Sequence, residues 1–183
     1  MSNPRKILVA GIGNIFLGDD AFGSEVARRL MHERLPDGVR VSDFGIRSYD
    51  LAYAMMDGYD AAILVDLTSK GRAPGTVYLM EPDLNEAGSP GSGGASPYPF
   101  DAHLADAHSM NPARVLQMLR HFGSSPGKLY VIGCEPAILE VEDEQIGMSE
   151  TVEKSVPQAI EWIKTLVNDL LKENPKKKEV ETI

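Results

Sequence analysis

Two short runs limit what this chain can fold into. "KILVA" (6–10) and "AAILVD" (61–66) are apolar without alternation, the pattern of strands buried on both faces rather than of strands with one wet side. Such strands need helices above and below them, and the remaining β-rich runs are spaced to allow it. "VRVSDF" (39–44), "TVYLMEP" (76–82) and "KLYVIGC" (128–134) alternate with helical patterns at 20–34, 48–57, 111–121 and 150–172. The expected fold is α/β: a three-layer α/β/α sandwich around a mostly parallel sheet of about five strands, in one domain. The last helix is well marked. Ser149 is placed to cap it, with Glu150 and Glu153 in its first turns, and Ile160, Ile163, Leu166, Val167 and Leu170 form its apolar stripe.

With 183 residues the chain is large enough to bury its own core without a disulfide or structural metal. The expected domain spans 1–174, followed by a frayed charged tail at 175–183. Within it, "NEAGSPGSGGASPYP" (85–99) is so rich in Gly, Ser and Pro that it reads as a mobile loop. The net charge of −9 argues against nucleic acid or an anionic membrane as partner. The apolar run near the N-terminus is too short for a signal-peptide core or a membrane span, which points to the cytoplasm. A single cysteine, Cys134, excludes a cysteine-rich zinc site, so any metal would rest on the four histidines and 27 acids. Cys134 ends an apolar strand, where a buried small residue is the default over a nucleophile. His32 and His121 fall on helices as surface or boundary positions.

The first strand leads into "GIGNIFLGDDAFG" (11–23), at the sheet edge where α/β proteins bind ligands. Gly11 and Gly13 suit a tight turn there. A dinucleotide site would want a third glycine, but position 16 is Phe, and Asp19 and Asp20 would repel a phosphate from the helix N-terminus. Asp19 is expected to N-cap the helix, which leaves Asp20 as a candidate cation ligand. The third strand ends on Asp66 at the same edge, where a carboxylate beside a dry core needs either a cation or amides such as those of Thr68 and Ser69. Asp43, at the end of the second strand, suits a loop-structuring role first and a substrate-facing one second. His103 and His108 precede the 111–121 helix, and an imidazole with two carboxylates makes a set for a borderline divalent metal with open positions. Spacing does not choose between the two histidines.

"ILVAGIGNIFLGDDAFG", then "ILVD", then a histidine before "ARVLQML", then "VIGCEPAILEVEDEQIGMSETV" resemble, in order and spacing, the hydrogenase maturation endopeptidases. The resemblance covers about residues 6–165, and its most specific parts are the opening "GxGNxxxxDD" and the closing run from the "GxxP" of Gly133–Pro136 to the "GMS" of Gly147–Ser149. It implies a cytoplasmic α/β/α endopeptidase that removes a C-terminal extension from the nickel-iron hydrogenase large-subunit precursor once nickel is inserted. It further implies that Asp20, Asp66 and His108 contact nickel supplied by the substrate, with no permanent organic cofactor, and that the chain acts as a monomer. His108 is chosen over His103 by the gap to Val115 and Leu116. The chain departs from many relatives in having Asp rather than Glu at 20, "DFGIRS" in place of a "DGGT"-like turn, and the long Gly/Ser/Pro loop. Two versions of the chemistry are open: the metal polarises the scissile carbonyl or activates water, or it marks a loaded substrate while a carboxylate acts as base. A non-catalytic chaperone of the large subunit and, further off, a dinucleotide-binding protein using Gly11, Gly13 and Asp43 are the rival readings.

Overall fold

In the computed structural model, residues 5–82, 119, 126–138 and 147–173 are described. The expected strands form β1 (Ile7–Ile12), β2 (Val39–Gly45), β3 (Ala61–Leu67), β4 (Val77–Met80) and β5 (Lys128–Cys134) of one sheet, in the order β2-β1-β3-β5-β4. Every pairing among β1, β2, β3 and β5 is parallel; β4 alone runs antiparallel, on β5. The carboxyl ends of four strands therefore share one edge, which is where the acids of the first and third strands come together.

Side chains of β1 and β3 alternate between two cores, which explains why neither run alternates in polarity. On one face Ile7, Val9, Ile63 and Val65 pack with α1 (Phe22–Leu30) and with the long C-terminal helix. On the other, Leu8, Ala10, Ala62 and Leu64 pack with Leu51, Ala52 and Met55 of α2 (Ser48–Met55) and with Leu119. Leu119 is helical, within the expected 111–121 helix; the rest of that helix, the 85–99 loop, His121 and the 175–183 tail lie outside the described residues.

The expected helix at 150–172 is two helices, α3 (Glu150–Glu153) and α4 (Val156–Lys172). Pro157 is the cause. It has no amide hydrogen to give, and its ring would collide with the carbonyl of Glu153 in a continuous helix, whereas it suits the first turn of a new one. The cap itself is as expected, with the Ser149 hydroxyl accepting from the Val152 amide at 3.3 Å. Ile160, Ile163, Val167 and Leu170 are buried along α4, and Leu166 is partly so.

The N-terminal turn of α1 lies against the strands backbone to backbone. A Cβ on Gly23 would come within 2.1 Å of the Val65 carbonyl oxygen and 2.2 Å of that of Ile12. Gly11 is inside β1 rather than in the turn, and a Cβ there would meet the Gly23 carbonyl oxygen at 2.4 Å. Its role is thus close helix packing; the turn proper is made by Gly13, whose φ of +144° few other residues adopt.

Candidate active site

The β1–α1 connection is organised by its own backbone. The Gly13 amide donates to the Gly45 carbonyl (3.1 Å), the Phe16 amide to Asn14 Oδ1 (3.0 Å), the Leu17 amide to the Asn14 carbonyl (3.1 Å) and the Asp20 amide to the Leu17 carbonyl (3.0 Å). A single 3-10 turn, Gly18–Ala21, then carries both acids into α1. Adjacent in sequence, the two acids have different surroundings.

Asp20 is half-buried, and its carboxylate accepts from the Asn14 amide at 2.8 Å. Burial raises its pKa above the ordinary carboxylate range, with the Asn14 bond pulling the other way. Asp66 closes β3 at 4% exposure and accepts from its neighbouring Leu67 amide at 2.8 Å. Burial pushes the Asp66 carboxyl well above the ordinary range, and the negative charge of Asp20 pushes it further. Thr68 and Ser69 do not serve it: the Thr68 amide donates to the Cys134 carbonyl, and the Ser69 hydroxyl to Glu135. Among the described residues no Lys, Arg or His forms an ion pair with Asp20 or Asp66, and no third metal-binding side chain completes a set with them. Burial raises both carboxyls, and the negative charge of Asp20 raises that of Asp66 as well, so this edge favours positive charge beside it.

Asp19 does not cap the helix, contrary to the expectation; neither the 3-10 turn nor α1 has a side-chain cap. Its carboxylate is 1% exposed and turns the other way, accepting from the amides of Ala137 (2.9 Å), Ile138 (3.0 Å) and Ser149 (2.7 Å). Three amide donors satisfy it and hold it away from the capping position, and Asp20 is left to the sheet edge. Asp43 has the loop-structuring role: it accepts from the Ser24 hydroxyl (2.8 Å) and the Gly45 amide (3.0 Å). Cys134 is buried, and its thiol is pushed up to about 11 by that burial, which leaves it a core residue. His32 is exposed. His103 and His108 lie outside the described residues.

One buried acid was missed from the sequence. Glu135, 3% exposed directly after β5, accepts from the Lys70 amide (2.9 Å), the Gly71 amide (2.9 Å), the Ser69 hydroxyl (3.3 Å) and the Tyr78 hydroxyl. Burial pushes its carboxyl up, but the Tyr78 hydroxyl and the amides of Lys70, Gly71 and Arg72 outweigh that and hold it below the ordinary range. It folds the loop after Asp66 back over β5, where Thr68 sits so close to Gly133 that a Cβ there would meet Thr68 Oγ1 at 2.4 Å. The signal was available, since an apolar run that ends in a carboxylate is what marked Asp66.

A mostly parallel sheet with a glycine-shaped first turn and two buried or half-buried acids at its carboxyl edge defines an α/β protein with its candidate site at that edge. The hydrogenase maturation protease family model matches residues 97–166. A Methanocaldococcus jannaschii protein named as a member of that group is 34% identical over 160 residues, 87% of this chain and 94% of its own. The Hydrogenase 2 maturation protease of Escherichia coli is 32% identical over 159 residues, 86% of this chain and 88% of its own. The solved structure of the hydrogenase maturating endopeptidase HybD from Escherichia coli superposes with a TM-score of 0.70 at 30% identity, over 90% of this chain and 93% of that one. This chain belongs to the hydrogenase maturation proteases, and is a peptidase with their α/β fold.

Proposed function

We propose that this protein removes the C-terminal extension of a nickel-iron hydrogenase large-subunit precursor after nickel insertion, in the cytoplasm and as a monomer, with Asp20, Asp66 and His108 contacting the nickel. The observation that carries this reading is the Asp20–Asp66 pair: a carboxyl buried beside another acid, answered by one amide and by no cation among the described residues. His108 joins the set through the family resemblance. The nickel arrives as part of the substrate, since two short carboxylates and one imidazole hold a metal weakly until the precursor adds its own ligands. A resident organic cofactor has no place in this scheme.

On arrival of the loaded precursor, Asp20 and Asp66 hold its metal and so fix it at the sheet edge. The scissile peptide bond is thereby held next to the same edge. Hydrolysis then adds water to the carbonyl carbon, breaks the C–N bond and passes a proton to the departing amine. A carboxylate with a raised pKa is suited to take the water's proton and return it to that nitrogen.

Intact-mass measurement after mixing the purified protein with nickel-loaded and with nickel-free precursor tests the proposal. Loss of the C-terminal peptide only from the loaded form is expected, with Asp20→Ala, Asp66→Ala and His108→Ala folded but inactive. Efficient cutting of metal-free precursor, or full activity in a folded Asp66→Ala variant, refutes the metal contact. A stable complex whose mass never falls would make the protein a large-subunit chaperone instead.

A further inference from the structure

Beside Asp20, the β1 and β2 side of the same edge carries exposed apolar side chains. Ile15 (44% exposed), Phe16 (70%) and Leu17 (48%) follow one another in the β1–α1 connection. Ile46 (48%) and Tyr49 (60%) emerge just after β2, next door, because the Gly45 carbonyl receives the Gly13 amide. Large apolar side chains gathered around a site on a soluble domain mark a surface that another protein covers.

We infer that this patch is the docking surface for the folded large-subunit precursor, which it grips beside the metal rather than by the metal alone; the inference rests on the proposed function. Three observations select that occupant. Asp20 closes the turn that carries Ile15–Leu17, its carboxylate accepting from the preceding Asn14 amide and its own amide donating to the Leu17 carbonyl, so a partner that reaches Asp20 arrives at that turn. The tripeptide is held in place, with the Phe16 amide fixed on Asn14 Oδ1, so little ordering is left to do when a partner binds. Arg47, which follows Ile46, is already engaged with the carbonyls of Asp43 and Phe44 and with Asp50, so its charge is spent within its own loop. A hydrated metal ion or a small polar molecule gains nothing from such a patch. A protein surface with a metal set among apolar groups matches both parts of it.

Phe16→Ser, Ile46→Ser and the double variant leave the core untouched, and Met31→Ser, equally apolar and exposed at the far end of α1, serves as control. Cleavage of nickel-loaded precursor is followed by intact mass over a range of precursor concentrations, with thermal melts to verify folding. In the double variant KM should rise about tenfold or more while kcat stays within about twofold, and the control should match the wild type. Unchanged KM in folded patch variants overturns the inference, as does gel filtration showing a wild-type dimer that Phe16→Ser converts to monomer, for the occupant would then be a second copy. If the wild type cuts nothing, the catalytic reading falls by itself, and calorimetric binding of the same precursor decides the docking surface. Weaker binding by Phe16→Ser upholds it, and equal binding overturns it.

Discussion

Replacing Asp66 with Asn should stabilise the fold at neutral pH while abolishing cleavage. The side chain is 4% exposed and accepts from the Leu67 amide at 2.8 Å, a bond the Asn oxygen can keep. What disappears is a negative charge held in a poorly solvated place beside Asp20. Each unit by which burial and Asp20 raise this carboxyl corresponds to about 1.4 kcal/mol against the fold once the group is ionised. The gain is expected to lie within the range of single stabilising substitutions, about 0.5–2 kcal/mol. At this chain length that means about 2–4 °C in Tm for each kcal/mol. The sign of the pH dependence follows from linkage. Because the folded-state pKa is raised, the folded wild type binds more protons than the unfolded chain in the window between the ordinary carboxylate range and the raised value. Its stability falls as pH climbs through that window, and the Asn variant has no such loss. Thermal unfolding by circular dichroism from about pH 8 down to about pH 5 should show the largest gap at the alkaline end, narrowing on acidification. A variant less stable than the wild type at neutral pH, or a gap that widens as pH falls, would refute the electrostatic account of the pair.

Asp19 should behave in the opposite way. Asp19→Ala leaves the amides of Ala137, Ile138 and Ser149 without their acceptor and should cost about 3 kcal/mol or more, read as a lower urea midpoint at unchanged slope. Asp19→Asn, which keeps one acceptor oxygen, should lose less; a neutral effect of both would contradict the buried bonds. Cys134, with its thiol pushed up to about 11 by burial, should react with a thiol reagent slowly in the folded protein and stoichiometrically in urea. Rapid labelling of the native protein would place that side chain at the surface.

The sheet was legible because its inner strands are covered twice, so that burial leaves an uninterrupted apolar run in the sequence. The direction of β4 was not, since Val77–Met80 is too short and too mixed in exposure to carry a sign of its orientation. The break before α4 was legible in Pro157 but outweighed by the apolar stripe on either side of it. The acids divide in the same manner. Asp66 and Glu135 both announce themselves as charges ending apolar strands, whereas nothing local separates Asp19 from Asp20. Their difference comes from amides 118 to 130 residues away in the chain, which no neighbouring residue encodes. The histidine of the expected set lies outside the described residues.

The bonds of Asp19 also act as a clip between distant parts of the chain. One carboxylate grips the chain at Ala137 and Ile138 and again at Ser149, so the stretch between enters and leaves from the same anchor, one residue from Asp20. Pulling on either segment therefore pulls on the residue next to Asp20. The same side chain that holds the start of α3 to the residues after β5 fixes the place of the turn that carries Asp20.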